Sequence, residues 1–201
     1  MNVAAIILSA GTSRRMGQPK ALMKLNGKTF LQQIIDVLSA TSISNITVVL
    51  GSSAQQICAS LGDFCGKIII NEHWQQGQLS SVIAGIDSLG ENFVDAIMLC
   101  PVDHPLISEN VIQELLCAFE TTKKKIILPK YCGRRGHPII FSRDIFSEIR
   151  NAPTEIGARS VLHKFPNEIC EVQTNEECVL ANIDTREDYE KYIANTHNAE
   201  F

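Results

Sequence analysis

The residues best suited to chemistry lie near the start of the chain. The run LSAGTSRRMGQPKAL (8–22) follows the apolar stretch VAAIIL, breaks at the small turn Ser9-Ala10-Gly11, and carries Arg14, Arg15 and Lys20, with Lys24 just beyond. No acidic residue precedes Asp36. A buried strand that opens into a small-residue, cationic loop is suited to holding phosphates, because backbone N–H groups and side-chain cations converge on one anion. Arginine grips phosphate oxygens through two parallel hydrogen bonds, and lysine acts as a point charge. The spacing of Gly11 and Gly17 fits neither G-x-G-x-x-G nor G-x4-G-K-[ST], so a dinucleotide fold of the usual pattern is disfavoured.

Four other segments carry candidate groups. In LCPVDHP (99–105), Asp103 ends an apolar run, where a carboxylate can share a magnesium ion with substrate phosphates; a turn before proline is the other use of aspartate there. In NIDTREDY (182–189), Asp184 is either a helix cap or a second carboxylate on the same ion. KYCGRRGHPIIF (130–141) lies in a stretch without acids from Thr121 to Arg143, and Arg134, Arg135 and His137 suit a phosphorylated acceptor as well as a basic solvated loop. In NEHWQQGQLSSVIAG (71–85), Gly77, Ser80 and Ser81 stand where a loop enters a helix. They could bond a base or ribose, or simply cap the helix, with Trp74 as a packing anchor.

These groups need a frame that brings strand ends together. VAAIIL (3–8), ITVVL (46–50), KIII (67–70) and AIMLC (96–100) read as short buried strands without polar alternation, as in a sheet covered on both faces. Phe30, Leu31, Ile34, Ile35 and Leu38 follow helical spacing, and so do Val111, Ile112, Leu115, Leu116 and Phe119, with Ser108 placed to cap the second helix. The β-α rhythm predicts an α/β fold, an open, mostly parallel sheet flanked by helices, with ligands beyond the carboxyl ends of the strands. IILP (126–129) and PIIF (138–141) add strands. CEVQ (170–173) and CVLANI (178–183) read as a small late β-hairpin layer, and 185–195 as a closing helix with the last few residues frayed. Residues 1–201 read as one domain without an internal linker.

Composition narrows the partners. A net charge of −4 argues against a general nucleic-acid binder, and no apolar run approaches the roughly 18–20 residues of a membrane span. Seven cysteines, an odd number without CxxC spacing, indicate reduced, buried or half-buried thiols in a cytoplasmic protein, with Cys100 packed as a small hydrophobe. No G-x-S-x-G elbow suggests a nucleophilic triad.

Taken together, LSAGTSRRMGQPK, the W-x-x-G-x-x-S-S segment from Trp74 to Ser81, GRRGHPIIF and NIDTREDY resemble the nucleotidyltransferases of the sugar-nucleotide pyrophosphorylase type. The AAG-like opening, with Ala10 where the guanylyltransferase has a second glycine, is similar to the molybdenum cofactor cytidylyltransferase family. The resemblance implies a Rossmann-like nucleotide-diphospho-sugar transferase fold and Mg²⁺-dependent transfer of CMP from CTP to the terminal phosphate of molybdopterin, releasing pyrophosphate. It implies that Leu8, Ala10, Gly11, Arg15 and Lys20 bind the nucleotide with Gly77, Ser80 and Ser81. It further implies that Arg15, Lys20 and Asp103 are catalytic, that Asp103 and Asp184 hold Mg²⁺, and that a molybdoenzyme receives the product. Two stretches depart from the family: Asp103-His104-Pro105 stands for D-Q-P, and Thr154 to Arg159 for G-D-x-G-A-R. Guanylyl transfer, transfer to another phosphorylated acceptor such as a sugar phosphate, and a non-catalytic cofactor-binding chaperone are the alternatives.

Overall fold

The computed structural model describes residues 1–43, 45–90 and 94–197. Its centre is β1 (Val3–Ser9), buried along its whole length. Ala4, Ile6 and Leu8 pack on one side of the sheet, and Val3, Ala5 and Ile7 on the other. Both faces therefore need apolar side chains, which is why the run shows no polar alternation. Two parallel neighbours flank it, β4 (Asn45–Leu50) and β6 (Ala96–Pro101). The antiparallel pair β2 (Lys24–Leu25) and β3 (Lys28–Thr29) lies outside this sheet.

On one face lie α1 (Phe30–Ser39), α2 (Ala54–Ser60) and α4 (Glu109–Thr122). Thr29 caps α1 by accepting from Gln32 N–H, and Ser108 caps α4 by accepting from Val111 N–H, as its position in the sequence predicts. On the other face lie α3 (Gln78–Ser88), α5 (Phe146–Arg150) and α6 (Arg159–Lys164). The remaining strands are β5 (Lys67–Ile70), β7 (Ile126–Tyr131), the short β8 (Arg134–Arg135), β9 (Ile139–Ser142) and β10 (Ile169–Gln173). The chain closes with α7 (Arg186–His197); the expected fraying of the last residues falls outside the described residues.

The sheet order is β10-β7-β9-β6-β1-β4-β5, with β8 paired to β7. Along that path β9 alone runs antiparallel to its neighbours, so the expected mostly parallel, helix-flanked sheet is observed. The chain leaves β1 toward β4 and β5, then returns to the far side with β6. That reversal opens a crevice at the carboxyl ends of β1 and β6, the place where such sheets bind ligands.

Three expectations need correction. The late hairpin does not form. Residues 170–173 are part of β10, which pairs in parallel with β7 at a sheet edge, and 178–183 lie in a 3-10 turn (Glu177–Leu180) and the irregular chain that follows it. Val179, Ala181 and Ile183 alternate into the core, so the period of two there reports alternate burial and not strand pairing. KIII forms a strand but not a buried one: β5 is an edge, and Ile70 is 59% exposed. Its apolar run gives strand propensity but does not count neighbours. All seven cysteines are free, yet Cys65, Cys117 and Cys132 are exposed. Cys100 packs as expected, and burial pushes its thiol well up. No helix among the described residues is long and apolar enough to cross a membrane.

Candidate active site

A cavity of about 690 Å³ occupies the crevice, within the range of roughly 300–1,000 Å³ typical of small-ligand sites. The turn after β1 forms its floor and one wall, the loop after β6 the opposite wall, and Trp74, Gln75, Gly77, Gln78 and Ser81 its rim. The strand ends are tied to one another: Val102 N–H donates to Leu8 O (3.1 Å) and Ser52 N–H to Ala10 O (3.0 Å). A Cβ at Gly11 would meet no protein atom within 4 Å. The fold does not require that glycine, which leaves the loop backbone open to whatever enters the cavity.

Lys20 is held in place by its own loop. Ser13, in a left-handed conformation, turns its hydroxyl to accept from Lys20 N–H at 3.0 Å. The Lys20 side chain is only 11% exposed and reaches across the cavity to two carboxylates: Asp103 Oδ2 at 3.3 Å and, in closer contact, Asp184 Oδ1. Arg15, largely exposed, approaches Asp184 Oδ1 at 3.5 Å. Burial tends to raise the Asp184 pKa. The hydrogen bond and charge of Lys20, with Arg15 and Asn182, outweigh it and hold the carboxyl below its ordinary value. The carboxylate is thus kept ionised.

Asp184 has two conceivable uses in the sequence, and its side chain does not serve as the helix cap. The cap of α7 is Thr185. Its Oγ1 accepts from Asp188 N–H at 3.1 Å, and Asp188 Oδ2 accepts from Thr185 N–H at 2.9 Å. That reciprocal pair closes the helix end without Asp184, whose carboxylate is left to face Lys20. The other carboxylate has an unsatisfied position: Asp103 Oδ1 is buried with no hydrogen-bond partner. Two aspartate side chains, one with an orphaned oxygen, at the wall of the cavity form a hard oxygen donor set. It fits a divalent cation that completes its shell with phosphate oxygens and water. No group of three or more acidic, histidine or cysteine residues that could hold a metal occurs among the described residues, so the pair would be a shared and not a self-sufficient cage.

The structure brings together Leu8, Ala10, Gly11, Arg15, Lys20, Gly77, Ser81, Asp103 and Asp184. Ser80, Arg134, Arg135 and His137 do not line the cavity. Ser80 donates to His73 O and Gly77 O and closes the entry to α3. Arg135 pairs with Glu171 at 2.8 Å, and Lys130 holds the same carboxylate. The Lys130 and Arg135 hydrogen bonds keep the Glu171 pKa below its usual value. Arg134 is exposed at the tip of the β7–β8 turn, with no ion pair among the described residues. His137 lies behind the Asp103 loop. Its ring stacks at a tilt on His104, with centroids 4.8 Å apart. Burial, with the neighbouring His104, pushes the His137 pKa down to about 3.

Ser13 and Asn71 act here without having stood out in the sequence. Asn71 is buried; its Nδ2 donates to Ser80 Oγ at 2.9 Å and Ser81 Oγ at 3.0 Å, fixing the serine that faces the cavity. The only signal for it was an asparagine directly after a strand, which is also an ordinary turn choice.

Comparison with known proteins adds the following. A family model described as "MobA-like NTP transferase domain" matches residues 5–169. Nicotine blue oxidoreductase of Paenarthrobacter nicotinovorans is 25% identical over 193 residues, 92% of this chain and 93% of that protein. A probable molybdenum cofactor guanylyltransferase of Mycobacterium avium is 28% identical over 191 residues, 94% of this chain and 93% of that protein. Among solved structures, Rv0371c of Mycobacterium tuberculosis superposes with a TM-score of 0.86 at 22% identity, covering 96% of this chain and 99% of that one. A manganese complex of the same protein superposes at 0.81 and 21% identity, with coverage of 96% and 99%. At these identities the solved structures speak for the fold.

Proposed function

The chain belongs to the MobA-like NTP transferase domain family, and for this nucleotidyltransferase we propose guanylyl transfer: residues 1–201 act as one domain that moves GMP from GTP onto the terminal phosphate of a molybdopterin-type acceptor and releases pyrophosphate. The observation that carries it is Lys20 reaching both Asp103 and Asp184 inside the cavity at the carboxyl ends of β1 and β6. The choice of GTP and acceptor rests on the named activity of the guanylyltransferase relatives.

An acceptor phosphate is already an anionic nucleophile, so no strong base is needed. One of its oxygens bonds to the α-phosphorus, the bridging bond to the β-phosphate breaks, and pyrophosphate leaves with the electron pair. The barrier lies in bringing anions together and in charge gathering on pyrophosphate. Lys20 and Arg15 lower it by positioning and neutralising the phosphates. The open backbone at Gly11 lets the triphosphate approach, and Ser81, oriented by Asn71, faces the nucleoside. Asp103 and Asp184 would hold Mg²⁺, which neutralises phosphate charge and orients the α-phosphate when bound.

A second reading is cytidylyl transfer, favoured by Ala10. That residue is 8% exposed and lines the cavity where the guanylyltransferase pattern has glycine. Its methyl narrows the turn, which suits a pyrimidine better than a purine. The test is pyrophosphate release by purified protein with molybdopterin, Mg²⁺ and each of GTP, CTP, ATP and UTP. Release with GTP above all others supports the proposal, and release with CTP above GTP replaces it by the second reading. Labelling of a sugar phosphate but not molybdopterin would move the acceptor, and tight pterin binding without turnover would make the protein a chaperone. Oxidation of NADH without pyrophosphate release would point to redox chemistry, the class of activity in the name of the Paenarthrobacter relative.

A further inference from the structure

The sequence offers GRRGHP as an anion-binding loop or a solvated basic one, yet Gly136 and His137 do not line the cavity. They complete a circuit of contacts behind it. Gly136 N–H donates to Pro129 O of β7 at 2.9 Å, and His137 N–H donates to Val179 O at 2.9 Å. The approach at Gly136 is so close that a Cβ there would stand 2.3 Å from Val179 O. From Val179 the chain runs through buried Ala181 and Ile183 to Asp184. Ile183 N–H donates to Asp103 O at 2.8 Å. The next residue, His104, stacks its ring on His137 at 4.8 Å and so returns to the starting loop. His104 N–H also donates to Pro101 O at 3.1 Å, which tightens the turn that ends β6.

Asp103 and Asp184 therefore sit next to each other across one backbone hydrogen bond, and the His104–His137 stack and the Gly136 seat close the ring around it. Neither imidazole is aimed at a ligand. The Nδ1 atoms of His104 and His137 are buried without a hydrogen-bond partner, and neither ring lines the cavity.

We propose that His137, with Gly136 and His104, is a positioning residue: the contacts of Gly136 and His137 with Val179, together with the ring stack, fix the span between the Asp103 and Asp184 carboxylates and thereby the affinity for a divalent cation. The part of this that concerns the cation rests on the metal-dependent transfer proposed above; the backbone circuit does not. Groups that orient metal ligands from behind commonly change metal affinity by about 10–100-fold when removed.

Two measurements separate the parts. In the metal-free protein, hydrogen exchange at the Ile183 amide should speed up in His137→Ala and return close to the wild-type rate in His137→Phe, which keeps a ring against His104. Amides of β1 and β4 should stay protected in both, showing that the sheet is intact. With Mn²⁺ and a non-hydrolysable GTP analogue, His137→Ala and Gly136→Ala should weaken Mn²⁺ binding by about tenfold or more, His137→Phe should restore it, and the KM for the acceptor should hold. Wild-type exchange at Ile183 in His137→Ala would overturn the circuit. Unchanged Mn²⁺ affinity with a raised acceptor KM would return His137 to acceptor binding. If Asp103→Asn also left Mn²⁺ binding unchanged, the metal role of the aspartates would fall, while the exchange result would still decide the circuit.

Discussion

The two halves of the chain make the site in different ways. The first, through Asp103, contributes side chains directly: the β1 turn, the α3 entry and the β6 end all open into one cavity. The second, from β7 onward, contributes among the described residues one lining residue, Asp184, and otherwise lies behind the cavity. Its most basic segment has Arg135 tied to Glu171 and His137 stacked on His104, leaving Arg134 exposed at the tip. Under the proposed function, a cationic loop serves phosphates when a strand end aims it into a crevice, and serves as a strut when the same residue types fold back on the sheet edge.

The sharpest way to break that contrast is to remove the direct groups. Lys20→Ala and Asp103→Asn are each expected to lower kcat by about 10²–10³-fold, the usual cost of losing a charge-stabilising group in a transition state. Far-UV circular dichroism should not change, since both side chains face the cavity and not the core. Near-normal pyrophosphate release by Asp103→Asn would remove the first half's claim to the chemistry.

Arg134, the guanidinium of the GRRGHP loop without an ion pair among the described residues, gives the next largest effect. If Arg134 meets the acceptor phosphate, Arg134→Ala loses a charge-assisted bond and raises the acceptor KM by about tenfold or more, with the KM for the nucleotide unchanged. Arg135→Ala should do less, because that guanidinium already serves Glu171. Equal effects from the two variants would mean that the loop acts as a diffuse basic surface.

The histidine pair predicts a pH dependence of stability that the β1 loop does not. His137 has a folded pKa of about 3 against an ordinary 6.5, because burial and His104 oppose its protonation. As pH falls below 6.5 the unfolded chain takes up a proton that the folded chain refuses. Stability from this group is therefore complete above 6.5 and declines toward 3, by at most about 1.4 kcal/mol per pH unit. His104 pulls the same way, since burial lowers its pKa, helped by Lys20 and opposed by Asp103 and Asp184. Urea unfolding at pH 7.5 and pH 5 should show a smaller loss for His137→Phe than for wild type; equal losses would contradict the assignment.

What could be read from the sequence divides along the same line. The β1 loop is legible because its strand, turn and cations are contiguous, and Asp103 follows a strand of the same parallel set. The helix caps Thr29 and Ser108 are local too, although only Ser108 stood out. The tail was not legible, because 178–183 alternates as a strand does while its hydrogen bonds go to turns and to Asp103. Asp184 has no local signal to separate its two uses, because Thr185 and Asp188, which cap α7 without it, are equally ordinary helix-start residues. The seating of Gly136 on Val179 joins residues far apart in the chain and has no sequence signal beyond the glycine itself.

The smallest expected effect tests how finely the first half discriminates. Ala10 is buried at the cavity edge, and its carbonyl is committed to Ser52 N–H, so Ala10→Gly should leave the loop in place and remove only a methyl. A single methyl in a pocket commonly shifts selectivity by about tenfold. Because guanine is the larger base, the ratio of kcat/KM for GTP to that for CTP should rise in Ala10→Gly, whichever nucleotide the wild type prefers. A ratio that does not move would make Ala10 a spacer in the turn. Base choice would then pass to the rim at Gln75, Gln78 and Ser81, and the first half would bind phosphates without reading the base.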